Sequence, residues 1–161
     1  MSPEFIDLLL LIIIANATPV LMRFLLGRRM DKAIDLGHRL RDGQRLFGAS
    51  KTWRGLAGSI LVTAVAAWLL GYPAMIGLAV ASLALLGDLF SSFIKRRLGM
   101  SSGRMAPLLD QVPEALLPAV LMRQTFALDL GAVLVLVLCF IVAELLLSFM
   151  FFILGVRKSP Y

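Results

Sequence analysis

Cysteine, histidine and charge are what this chain has least of. Among its 161 residues are one cysteine and one histidine. Cys139 stands inside an apolar run, so no intrachain disulfide framework exists. His38, as the only histidine, excludes a zinc site built on several imidazoles, and it reads as a loop residue rather than a base. Charged residues make up 16% of the chain, against about 25% in a soluble domain. The hydrophobic fraction is 60% and the mean hydropathy +0.90, where a soluble domain has about 45–50% apolar residues. At this length much of the chain still faces its surroundings, so the apolar excess has no soluble core to fill. A water-soluble globular enzyme and a disordered chain are both excluded. The composition implies an all-α integral membrane protein whose residues 1–161 form one membrane domain.

The apolar runs predict five transmembrane helices, over residues 4–26, 55–72, 74–94, 113–128 and 131–155. Gly71-Tyr72-Pro73 makes a tight turn between the second and third. Pro118 interrupts the fourth, which is short and carries Arg123 and Gln124 near its end. The first run does not read as a cleavable signal peptide, because no basic residue precedes it and no small-residue cleavage site follows. Net charge is +6, yet the positions of the cations make this a topology signal before a nucleic-acid one. Eight of the sixteen lysines and arginines fall in 27–54, four in 95–112 and two, Arg157 and Lys158, in the tail. With the N-terminus outside, these segments all lie on the cytoplasmic side, leaving Arg123 outside and Arg23 near the inner end of the first span. Loops 27–54 and 95–112 then cap the bundle at its cytoplasmic face, and any chemistry belongs there.

Three polar groups are not explained by the membrane. Gly43 to Gly55 combines glycines, cations and a hydroxyl ahead of a helix, which suits a phosphate cradle. The spacing is not that of a Walker loop, and a basic topogenic loop accounts for the same residues. Asp88, Ser91, Ser92 and Lys95 form a polar stripe at the end of the third span. A carboxylate at that depth needs a cavity, a partner or a metal; pairing with Lys95 or Ser92 is the structural alternative. Asp110, just before the fourth span, serves either as a helix N-cap or, with Asp88, as a Mg²⁺ site completed by phosphate oxygens and water. Within the first span Asn16, Thr18 and Pro19 make a polar break. Asn16 there faces either a headgroup or backbone freed by the proline. Glu144, deep in the fifth span, reads as structural. Besides an enzyme, these features admit a transporter built on Glu144 and Asn16, or a basic module that binds anionic lipid.

The residues from Gly87-Asp88 through Ser91-Ser92-Phe93-Ile94-Lys95-Arg96 to Leu109-Asp110-Gln111 resemble the signature of the CDP-diglyceride synthase superfamily. Lys51-Thr52-Trp53-Arg54-Gly55 resembles its Lys-Thr-x-x-Gly element. Together with Asn16-x-x-Pro19, Asp35 and Arg41-Asp42-Gly43-x-Arg45-x-x-Gly48, the pattern is similar to the archaeal, CDP-archaeol-forming branch. Pro107-Leu108-Leu109-Asp110-Gln111 stands where the bacterial type has a glycine-rich run before its last aspartate.

The resemblance implies Mg²⁺-dependent transfer of CMP from CTP to a membrane lipid phosphate, on the cytoplasmic face of a multi-pass cell-membrane protein. The implied acceptor is 2,3-bis-O-(geranylgeranyl)-sn-glycerol 1-phosphate, with diacyl phosphatidic acid the alternative. It implies Asp88 and Asp110 as Mg²⁺ ligands. Lys51, Thr52, Arg54, Lys95 and Arg96 would hold the triphosphate, Gly48 and Gly55 would let backbone close on it, and Ser92 and Arg45 would complete the nucleotide shell. Asn16 and Pro19 would shape the cavity near the lipid phosphate.

Overall fold

The computed structural model describes residues 2–27, 29–104 and 106–155. Arg28, Arg157 and Lys158, which contribute to the charge asymmetry, lie outside the described residues. Five helices follow in order: α1 (Pro3–Leu26), α2 (Trp53–Leu69), α3 (Ala74–Arg97), α4 (Gln111–Leu121) and α5 (Leu130–Ile153). Among the described residues the only β-type pairings are two isolated bridges, Ala33 with Thr52 and Arg39 with Arg45.

Local chemistry sets the ends. Ser2 caps α1 by accepting from the Phe5 N–H at 3.3 Å, with Pro3 in the first turn, where a missing N–H costs nothing. Thr52 caps α2 by accepting from the Gly55 N–H at 3.2 Å, and Asp129 caps α5 through Ala132 at 2.6 Å. Gly71 at φ 89 makes the turn between α2 and α3, and the Tyr72 hydroxyl then donates to Asp7 of α1 at 2.9 Å.

Each of α1, α3 and α5 has 24 residues and is long and apolar enough to cross a membrane. The interior combines large side chains, among them Leu8, Leu11, Ile12, Phe126, Leu136 and Phe140, with alanines and glycines at the closest helix contacts. Ala15, Ala67, Ala81, Ala84, Ala115 and Ala119 are fully buried, whereas Leu25, Trp68, Leu134 and Leu138 face outward. Gly77 of α3 lies so close to α2 that a Cβ there would stand 2.4 Å from the Thr63 carbonyl oxygen. Lipid tails are as apolar as leucine, so tight packing and close backbone approach, rather than escape from water, hold such a bundle.

Two expected boundaries are corrected. The basic triplet Lys95-Arg96-Arg97, placed in the loop 95–112, forms the last turn of α3. Cations at a helix C-terminus complement its dipole, and these side chains find acceptors in both loops. The fourth apolar run, expected to be helical over 113–128, forms 11 residues from Gln111 to Leu121, about 16 Å. Past Pro118, residues 122–127 turn back, with Ala127 at φ 48, so Arg123 and Gln124 belong to a turn.

Candidate functional site at the junction of the two loops

The first loop is organised around a buried carboxylate. Asp35 accepts the N–H groups of Gly37, Phe47 and Gly48 at 3.1, 3.2 and 2.9 Å and pairs with both Nε and a terminal nitrogen of Arg45. Burial acts to raise its pKa, but Arg45 and the three backbone donors outweigh it and hold the carboxyl well below the usual carboxylate range. A carboxyl lowered in this way contributes its stabilisation above the unfolded value of about 3.9 and loses it as pH falls toward the folded one. Loop order contributed by Asp35 is therefore expected to be flat from neutral pH to about 4. Asp35→Ala, which strands a half-buried guanidinium and three N–H groups, is expected to cost about 1–3 kcal/mol. A melting curve in detergent checks this, and an unchanged midpoint would remove Asp35 from the loop's core.

Arg54, expected on the triphosphate, is buried and donates to the carbonyls of Gly27 and Arg29 and to Asp31 at 3.1 Å. Arg45 likewise serves Asp35, and Thr52 serves the α2 cap. These side chains shape the loop that presents Lys51. Arg97 joins the two loops, donating to the Arg45 carbonyl at 2.7 Å and pairing with Asp42 at 3.1 Å. Gly48, at φ 100, lies against Ser102, where a Cβ would meet the hydroxyl at 2.7 Å. That glycine is required both by its backbone angle and by the space.

The acids and lysines converge beneath this junction. Lys51 Nζ lies 2.5 Å from both carboxylate oxygens of Asp88, and Lys95 Nζ lies 2.6 Å from Asp110 Oδ1. Lys95 also donates to the Arg104 carbonyl at 3.1 Å, while Asp110 Oδ2 accepts the Ala106 N–H at 2.9 Å. The partner of Asp88 thus comes from the first loop rather than from Lys95 or Ser92 on its own helix. Asp110 reaches back into the second loop and makes no side-chain cap on α4. Burial would depress the Lys51 pKa; the surrounding Asp88, Glu114 and Asp110 carboxyls reverse this and hold it above its ordinary value. Ser92 is buried on the same face of α3, and Ser91 donates to the Asp88 carbonyl of its own helix. Buried Arg96 donates to the Ser101 carbonyl at 2.9 Å, but its Nε meets no acceptor among the described residues.

Glu114 was not anticipated. It is buried on α4 with its carboxyl against Asp88, bringing a third carboxyl into the cluster. The signal was present: an acid inside the fourth apolar run, where charge is costly. No set of three or more His, Cys, Asp or Glu side chains among the described residues is arranged to hold a metal unaided. The chemistry of the donor set nevertheless fits magnesium, which takes one or two protein carboxylates and fills its remaining positions with water and phosphate oxygens.

Pro19 lies beside the start of α2, where a Cβ on Gly55 would stand 3.1 Å from it. The Asn16 amide donates to the Ile12 carbonyl at 3.1 Å, satisfying its own helix. Asn16, Glu144 and Ser148 line a cavity of about 20 Å³ between α1 and α5, room for about one water. His38 is an exposed loop residue.

A second, larger cavity of about 660 Å³ opens between α3 and α4. Its walls are almost wholly apolar and include Phe47, Leu86, Leu89, Phe90, Phe93 and Leu116. Leu89 adjoins Asp88 in sequence, Phe47 precedes Gly48, and Val112 and Pro113, also in the wall, separate Gln111 from Glu114.

The chain matches the family model described as CarS-like, CDP-archaeol synthase, over residues 4–83 and 73–161. It is 35% identical over 155 residues to the CDP-archaeol synthase of Thermofilum pendens, covering 92% of this chain and 76% of that protein. With the CDP-archaeol synthase of Aeropyrum pernix it shares 44% over 115 residues, 68% of this chain and 63% of the relative. The match to the Staphylothermus marinus protein of the same name spans 59% of that relative's length. A solved structure described as an intramembrane enzyme for archaeal membrane lipids biosynthesis superposes with a TM-score of 0.71 at 32% identity, covering 89% of this chain and 91% of that one.

Proposed function

Because this chain belongs to the CDP-archaeol synthase family, we propose that it transfers CMP from CTP to a membrane lipid phosphate, releasing pyrophosphate. The acceptor in this reading is 2,3-bis-O-(geranylgeranyl)-sn-glycerol 1-phosphate. The observation that carries it is that the same two helices, α3 and α4, carry acids of the ionic cluster and wall an apolar cavity of about 660 Å³ with the neighbours of those acids in sequence. A lipid phosphate needs both, one for its anionic head and one for its chains.

The nucleophile is a phosphate oxygen, anionic at neutral pH, so no general base is required. This suits a chain whose one histidine is an exposed loop residue. The difficulty lies in bringing two anions together at the α-phosphorus, and fixed cations offset that repulsion and align the attack. Lys51, Lys95 and the free Nε of Arg96 would face the phosphates. Asp88 and Asp110 would hold Mg²⁺, with Glu114 packed behind Asp88; the ion, when bound, neutralises charge on the transferring phosphoryl group. In this reading the five helices cross the membrane, α4 as a short, partly protein-enclosed segment. The two loops face the cytoplasm, where CTP is available, and the lipid enters sideways between α3 and α4.

Purified protein in detergent, given labelled CTP, Mg²⁺ and a panel of lipid phosphates, tests this. Release of pyrophosphate with the isoprenoid ether lipid and not with diacyl phosphatidic acid is the expected result. Equal use of both would leave cytidylyl transfer standing and remove the acceptor assignment; no release from any acceptor would overturn the reading.

A further inference from the structure

Gln111 opens α4 between two members of the ionic cluster, Asp110 beside it and Glu114 one turn on. It is fully buried. Its Oε1 accepts the Leu108 N–H at 2.6 Å, and its Nε2 meets no acceptor among the described residues. Exchanging oxygen and nitrogen does not remove the discrepancy, because two donors would then face each other at Leu108. The amide is therefore held in one orientation with its donor unused. Leu108, which holds it, sits at φ 67, a left-handed conformation costly for leucine. Strain at such a position points to a function that the rest of the fold maintains. Buried donors in folded proteins nearly always have partners, and leaving one unpaired costs about 1–3 kcal/mol.

The cluster is otherwise made of ions. Lys51 and Lys95 meet carboxylate oxygens, and charged oxygens are the stronger partners for cationic donors. A neutral amide suits a neutral acceptor. Cytosine N3 is one, whereas the same position in uracil is an N–H donor, so an amide N–H facing it accepts one base and opposes the other. We infer that Gln111 is a specificity-determining residue of this site, donating from Nε2 to N3 of the cytosine ring of the bound nucleotide.

This inference rests on the proposed cytidylyl transfer, and its test separates the two. CTP and UTP are compared on wild type, Gln111→Glu and Gln111→Met, by equilibrium binding without lipid acceptor and by turnover with it. Gln111→Glu keeps an oxygen for the Leu108 N–H and preserves the turn if Gln111→Met does not fold. Both variants are expected to lower the preference for CTP over UTP by about 5- to 150-fold, the range set by the cost of leaving a buried polar group opposed or unpaired. Melting midpoints are expected to fall for both variants, because Gln111→Met leaves the Leu108 N–H unpaired and Gln111→Glu adds a buried carboxyl beside Asp110. The ratio of CTP to UTP in each folded variant is therefore the readout. An active wild type whose CTP preference survives in the variants, or an equal loss for both nucleotides, would overturn the base contact alone. A wild type that neither binds nor uses CTP would overturn the proposed function with it.

Discussion

Asp88→Asn is expected to lower CTP turnover about 100- to 1,000-fold while the protein remains folded, in line with the effect of removing one electrostatic group from a reacting centre. Asp88 joins three parts of the site: it stands on α3, binds Lys51 of the first loop through both oxygens, and lies against the Glu114 carboxyl of α4. The amide preserves volume but removes the negative charge and one acceptor. It leaves Lys51 without its nearest counter-charge and any magnesium ion without its central carboxylate. Lys51 is half-buried rather than sealed, so water can take part of the vacated position and the fold is expected to survive. Labelled-CTP turnover and a melting curve of the same preparation check both halves. Retention of a tenth or more of wild-type turnover would take Asp88 out of the reacting centre.

Gly87→Ala is expected to act nearly as strongly without touching any charged group. A Cβ at that position would lie 2.2 Å from the Pro113 carbonyl oxygen and 2.7 Å from the Glu114 nitrogen. Both obstacles are backbone, so relief requires α3 and α4 to separate, carrying Glu114 away from Asp88 and disturbing Gln111 as well. Overpacking of this kind costs about 1–3 kcal/mol, occasionally more, and this site belongs at the upper end. Gly58→Ala is the control. Its Cβ would come within 2.1 Å of Met22, but of the sulfur of a flexible side chain that can swing aside. Melting midpoints and CTP turnover for the two variants are expected to diverge, with Gly58→Ala close to wild type. Equal midpoints and equal turnover would show that Gly87 does not set the α3–α4 spacing.

How far the site was legible differs from residue to residue. Lys51, Asp88, Lys95 and Asp110 were visible as charges next to apolar runs, and the structure gathers all four. Which lysine meets which acid was not visible, since Lys51 and Asp88 are 37 residues apart and helical spacing favoured Asp88 with Lys95. Arg54 and Arg45 looked equally suited to phosphate, yet hydrogen bonds within the first loop engage them. Glu114 was overlooked because a single acid does not alter the apolar character of its run. Gln111 was a motif residue with no assigned task until the bond to Leu108 oriented its amide.

Membrane residence and helix content follow from quantities that add along the chain: hydropathy, the spacing of glycine and proline, and the positions of cations. Transfer free energy is a sum over residues, so the sequence by itself determined that this chain is a helical membrane protein and roughly where its helices run. The length of α4, the helical state of Lys95-Arg96-Arg97 and the pairing of charges depend instead on distances between segments far apart in sequence. Those distances exist only after packing, through contacts as particular as Gly87 against Pro113 and Arg97 against Asp42. Tertiary structure alone therefore decided which polar groups hold the loops, which meet in the ionic cluster, and that an apolar cavity opens between α3 and α4.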